Sequence, residues 1–364
     1  MEKYKNTTGL VNIKSFDENQ NQEIINFLEN KFEGCKQIIK IKKDNNDKYN
    51  MIVGINTSLN NIDKAIILSG HIDTVPADEK NYATNPYQAT LLDNKIYGLG
   101  VIDMKCFFAT ILDNLDFLKN CQIPIIVCIS SDEETTLQGI NKITNTLKQN
   151  KILPYFTIVG EPTSLEFCTK SKSCFEYSVQ VYGKSCHSSQ PQNGTNSNYI
   201  CAKLINYIEK LSKKYKNTSL SCNIMQGGEK VNIISNYAKI VFDIRSAQKK
   251  YAQKCIEKIT KKSKKLQQKY AESKIEITNN LYIPALENSS KKLVDKIIKK
   301  YNKTPFEFIG GCEAGYFCEL GGEAIIFGAG DLALAHKPNE FLDLDNYQKY
   351  NQMFVEIINT ICEK

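Results

Sequence analysis

Four apolar runs each end in a knot of polar or acidic residues, and this constrains the fold more than any other feature of the chain. Lys64–Ser69 (KAIILS) leads into Gly70, His71, Ile72 and Asp73. Ile123–Ser130 (IPIIVCIS) leads into Ser131, Asp132, Glu133 and Glu134. Phe156–Val159 leads into Gly160, Glu161 and Pro162, and Glu323–Phe327 into Gly328, Ala329 and Gly330, with His336 soon after. Continuous apolar runs of this length suit strands buried on both faces, as in a parallel sheet. Helical periodicity fills the gaps over Ile102–Asn120, Thr136–Lys148 and Ser289–Tyr301. Strands alternating with helices predict an α/β fold, whose ligands gather at the carboxyl ends of the strands. The polar knots sit at those ends, so residues far apart in sequence are expected to converge.

The stretch from about 172 to 281 has a different rhythm. It reads as a strand (Cys174–Tyr182), a helix (Thr195–Leu211), two strands (Ser219–Gln226 and Tyr237–Arg245), a helix (Lys249–Tyr270) and a strand (Lys274–Thr278). That β-α-β-β-α-β order is ferredoxin-like. The expectation is an inserted α+β domain at 172–281, splitting a catalytic domain into 1–171 and 282–364.

Composition narrows the function classes. Hydrophobic residues make up 41% and charged residues 24% of 364, as in ordinary globular chains. No apolar run is long enough to span a bilayer, and Met1–Gln20 lacks the apolar stretch of a signal peptide. A cytoplasmic protein without membrane contact is expected. The thirteen cysteines include no CxxC pair and read as small buried hydrophobes in a reducing compartment. Net charge is +7, but much of the lysine lies in helical patterns over Lys249–Lys303, where a solvated face explains it. No nucleic-acid module signature accompanies it, so no nucleic-acid partner is expected.

The chain has only three histidines, His71, His187 and His336, each in or beside a turn-like stretch. The H-x-D spacing of His71 and Asp73 allows the carboxylate to hold one ring nitrogen and leave the other for a metal. Asp103 follows Gly98 and Gly100, which permit a tight turn, although a helix N-cap is the alternative reading. Asp132, Glu133 and Glu134 would repel one another unless solvated or bound to cations. Glu161 closes another strand, where a solvated turn residue is the alternative. Two histidines with three carboxylates form a mixed N/O ligand set suited to zinc, cobalt or manganese. Paired ions would acidify a water to a pKa of about 7, and a carboxylate outside the ligand set would take its proton.

These segments resemble the metallopeptidases and deacylases with paired zinc ions. That family includes acetylornithine deacetylase, succinyl-diaminopimelate desuccinylase, aminoacylase and glutamate carboxypeptidase. The matching pieces, in the family's order, are SGHIDTVP, GLGVIDMKCFFA, SSDEET, VGEPTSL, VYGKSCHSSQP, GGEKVNIISNYAKIVFDIR and GAGDLALAHKPNEFL. DMK followed by FFA, GEPTSL and AHKPNEFL are most similar to the acetylornithine deacetylase branch. The resemblance implies two divalent ions, zinc first and cobalt also fitting. His71 and Glu161 would hold one ion, Glu134 and His336 the other, and Asp103 would bridge them. It implies Glu133 as general base, Asp73 as the residue orienting His71, and His187 as an oxyanion group reaching the partner subunit's site in a homodimer built through the inserted domain. Arg245 and Asn232 are implied as substrate contacts. The implied reaction is hydrolysis of an N-acyl amino acid, N-acetylornithine first, in arginine biosynthesis. Desuccinylation of succinyl-diaminopimelate, dipeptidase or aminoacylase activity, and a non-catalytic metal-binding role are the alternatives. Cys106 stands where glycine is common after DMK, Cys186 where a small residue is common before His187, and Ile72 where threonine is frequent.

Overall fold

In the computed structural model, which describes residues 2–16, 18–43 and 48–363, the apolar runs form the middle of an eight-stranded sheet. Its described strands are β1 (Gln37–Lys42), β2 (Tyr49–Gly54), β3 (Lys64–His71), β4 (Ile125–Ser130), β5 (Leu153–Val159), β6 (Cys168–Ser171), β7 (Phe306–Phe308) and β8 (Glu323–Ile326). The spatial order is β1-β2-β4-β3-β5-β8-β6-β7. The central strands β4, β3, β5 and β8 run parallel, while β2 joins β4 and β6 joins β8 antiparallel. Every residue of β4 and β8 is buried, which is why these runs carry no polar alternation. The register pairs His71 with Ser130 and Ser69 with Val159, so β3 and β4 end level and β5 stops two residues short of them.

The chain divides into two compact units, Met1–Ser171 with Leu286–Lys364, and Lys172–Ala285. In the smaller unit, Ser173–Tyr182, Thr218–Gly227, Tyr237–Ser246 and Lys274–Ile283 form an antiparallel sheet. The boundary expected at 281 falls inside the last of these strands. Alternate residues of Tyr237–Ser246 are buried, including Ile240, Phe242 and Ile244. They pack with Ile200, Leu204 and Ile208 of the Ser197–Ser212 helix and with Cys255 and Ile259 of the Lys249–Lys269 helix.

The helix expected over 102–120 is broken. Asp103 and Met104 have non-helical dihedrals, the peptide bond between them is cis, and regular helix spans only Cys106–Asp113 and Leu115–Lys119. The expected Thr136 and Ser289 starts move to Gln138 and Lys292. All thirteen cysteines are free thiols, and no described helix is long and apolar enough to cross a membrane.

Candidate metal centre

The ends of the central strands bring His71, Asp103, Glu133, Glu134, Glu161 and His336 together in the larger unit. His71 is the last residue of β3 and is 1% exposed. Its Nδ1 lies 2.9 Å from the Asp73 carbonyl oxygen, which only accepts, so Nδ1 carries a proton and Nε2 faces the cluster. The Asp73 carboxylate is 3.6 Å from the ring, beyond hydrogen-bond range. It accepts instead from the backbone N–H groups of Glu133 (3.2 Å) and Glu134 (3.1 Å). Asp73 thus orients the imidazole through its backbone and fixes the acidic turn through its side chain.

Asp103 stands between the two histidines. Its Oδ1 is 3.0 Å from His71 Nε2, and its Oδ2 is 3.2 Å from His336 Nε2. The turn before it needs Gly100, whose φ of +73° lies in the left-handed region. Glu161 Oε1 is 3.9 Å from His71 Nε2, and Glu134 Oε1 is 2.8 Å from His336 Nε2. Among the described residues, His71–Asp103–Glu161 and Asp103–Glu134–His336 each offer ligand atoms within 4.8 Å of one another, and so does His71–Glu133–Glu134. Two of these groups share Asp103 through different oxygens. The donor set fits two divalent ions joined by a carboxylate.

A model of peptidase family M20/M25/M40 matches residues 67–360. The chain belongs to that family. An acetylornithine deacetylase of Buchnera aphidicola subsp. Schizaphis graminum is 30% identical over 94% of this chain and 92% of its own length. The crystal structure of aminopeptidase PepT from Bacillus cereus superimposes with a TM-score of 0.75 at 19% identity, covering 98% of this chain and 97% of that one. A Bacillus subtilis structure described as a dinuclear metal-binding peptidase of the M20 family superimposes with a TM-score of 0.67 at 16% identity, covering 97% of this chain and 95% of that one. This M20 chain is therefore an enzyme that acts on amide bonds.

Burial pushes the Glu133 carboxyl up to about 8, with Glu134, Asp103 and Asp73 adding to the shift against His71. Burial and then Asp103 hold Glu161 well above the carboxylate range. Burial works against a charged His71, but Asp103 and Asp73 outweigh it and hold the ring well above its usual value. Asp103 and Glu134 raise His336 to about 10. Without cations the cluster gathers protons; two dications would replace them.

Three residues outside the expected set build this M20 site. Asp132 does not join the cluster: it accepts from Thr136 Oγ1 and from the N–H groups of Gln138 (3.1 Å) and Gly139 (2.8 Å), and pairs with Lys43 at 2.9 Å. It is a buried anchor for the Glu133–Glu134 turn. Glu313, fully buried, accepts from Ser69 Oγ (2.5 Å) and Ser130 Oγ beneath the ends of β3 and β4. Glu340 holds the Asp103 turn.

The remaining expected residues lie in the smaller unit. His187 is exposed, with Nδ1 2.8 Å from Ser189 Oγ, and it bridges to Ile233 beside Asn232. Asn232 O accepts from Ser188 N at 3.0 Å, so His187 and Asn232 are neighbours. Cys186 keeps ordinary negative φ and its carbonyl accepts from Ile234 N, so its side chain is accommodated. Arg245 Nε donates to Asp243 Oδ2 at 3.0 Å, two residues back on the same face of its strand.

Proposed function

We propose that this enzyme deacylates N-acyl amino acids at a dinuclear centre, with N-acetylornithine the preferred substrate. The observation that carries the chemistry is Asp103, which turns one oxygen to His71 and the other to His336. His71 and Glu161 are assigned to one ion, and Glu134 and His336 to the second, with Asp103 between them. Zinc suits this mixed N/O set, and cobalt fits it equally. Bound ions would polarise the scissile carbonyl and acidify a water.

Glu133 is assigned the proton transfers. It borders the ligand set and, ionised beside bound cations, would accept a proton from water and return it to the leaving amine. Its backbone is fixed by Asp73 and its turn by Asp132, so the carboxylate is pre-positioned. His187 is assigned to the oxyanion, and Asn232 and Arg245 to the substrate. Arg245 must then share its guanidinium between Asp243 and a substrate carboxylate. The resemblance of VYGKSCHSSQP supports a homodimer formed through the smaller unit, with His187 serving the partner's site.

The substrate assignment is supported by the match, over most of both lengths, to relatives named acetylornithine deacetylase. A place in arginine biosynthesis follows from that substrate, and free thiols throughout fit a reducing cytoplasm. The test compares initial rates on N-acetylornithine, succinyl-diaminopimelate and a simple dipeptide with metal-replete protein. Faster turnover of N-acetylornithine is expected; a higher rate on either alternative overturns the substrate assignment.

A further inference from the structure

Glu340 is four residues beyond His336 and 1% exposed, a position where a carboxylate needs strong partners. Those partners are not on its own segment. Its Oε2 accepts from Gly100 N at 2.9 Å and its Oε1 from Ile102 N at 2.8 Å. Its carbonyl oxygen accepts from Gly98 N at 3.1 Å. One residue therefore holds the turn that delivers Asp103 at three points. The turn is closed by Lys105 N donating to Gly100 O at 2.9 Å, and the buried Lys105 ammonium donates to Ile13 O at 2.8 Å. Directly after Glu340, Phe341–Asp343 pairs with Lys95–Tyr97, the strand leading into the same turn.

The His336 segment and the Asp103 turn are thus tied together, and the tie spans the pair Asp103 Oδ2 and His336 Nε2, 3.2 Å apart. His71 and Glu161 depend on β3 and β5 instead. Burial pushes Glu340 up to about 8, yet the groups facing its two oxygens are both N–H donors that need acceptors, so the geometry selects the carboxylate. Glutamine would offer one oxygen and turn an NH2 toward the other N–H.

We propose that Glu340 is a positioning residue that sets the Asp103–His336 separation and so controls binding of the second ion, the one assigned to Glu134 and His336. This rests on the two-ion reading above. Residues acting through ligands in this way typically change metal affinity 10- to 100-fold.

The test is Co2+ titration of the metal-free full-length chain, followed by visible absorption and by bound metal per chain after gel filtration. Wild type should take up two ions. Glu340→Gln should bind one ion roughly 10- to 100-fold more weakly, and weaken the other, which shares only Asp103 with that tie, to a smaller extent. In Glu340→Gln combined with His336→Ala, the remaining ion should bind as in His336→Ala alone. If Glu340→Gln does not fold, as judged by circular dichroism, Glu340→Asp is titrated instead, since it keeps the charge and shortens the reach. Equal weakening of both ions, or of neither, in a folded variant overturns the proposal alone. Fewer than two ions in wild type overturns the dinuclear reading and the proposal with it.

Discussion

Loading this centre with metal should release protons, and the number follows from the bare site. His71 is held well above its usual value and His336 at about 10, so both imidazoles are charged at pH 7 in the metal-free protein. Each must give up a proton to present Nε2 as a ligand. Glu133, held near 8, is roughly nine-tenths protonated at pH 7 and ionises beside two dications. Those groups sum to about three protons per chain, and Glu161, raised in the same direction, adds to them. The apparent constant for loading both ions should then rise by at least about three decades per pH unit near neutrality. Isothermal titration with Zn2+ in two buffers of different ionisation enthalpy counts the protons directly. Release of fewer than one proton per chain would refute the reasoning, since the ions would then be binding groups already in their basic forms.

Further outcomes follow from the same geometry. Glu133→Gln should lower kcat by about 10²- to 10⁴-fold while bound metal per chain stays unchanged; activity near wild type would remove Glu133 from the proton-transfer role. Asp132→Ala strips the acceptor from the part-buried Gln138 N–H, the buried Gly139 N–H and Lys43, and should cost roughly 2–4 kcal/mol in urea unfolding of the larger unit. Burial opposes the Asp132 charge, but Thr136, Lys43 and Gly139 outweigh it and lower its pKa. Its contribution is therefore present above the unfolded value of about 3.9 and lost as pH falls through the lower folded value, so the two proteins should converge in acid. If His187 serves the partner's site, mixing Glu133→Gln with His187→Ala subunits should restore about a quarter of wild-type sites through mixed dimers. No recovery after subunit exchange would place His187 in its own subunit's site or outside the chemistry.

The sheet core was legible because burial on both faces removes polar alternation from β3, β4, β5 and β8, leaving runs that end abruptly in polar residues. His71, Glu133, Glu134 and Glu161 were conspicuous for the same reason: they sit where those runs stop. Other features depend on contacts between distant segments and leave no local signal. VIDMKCFFAT reads as one helix, yet Asp103 and Met104 leave it because the preceding turn is held by Glu340, more than 230 positions away in sequence. Glu340 itself lies in a polar stretch and reads as a surface acid. Asp132 looked like one of three clustered carboxylates, but Gly139, Gln138 and Lys43 draw it away from the cluster. The H-x-D spacing placed Asp73 beside His71 correctly while concealing that a carbonyl, not the carboxylate, meets the ring. β1 gave no clean pattern, because its exposed lysines interrupt a half-buried edge strand.

The most direct test of the account is hydrolysis of N-acetylornithine by purified protein before chelation, after chelation, and after addition of zinc or cobalt, with released ornithine and bound metal measured on the same samples. Turnover with two ions per chain, loss of both on chelation and their joint return are expected. Undiminished turnover by protein stripped of metal would contradict the proposed metal-dependent hydrolysis.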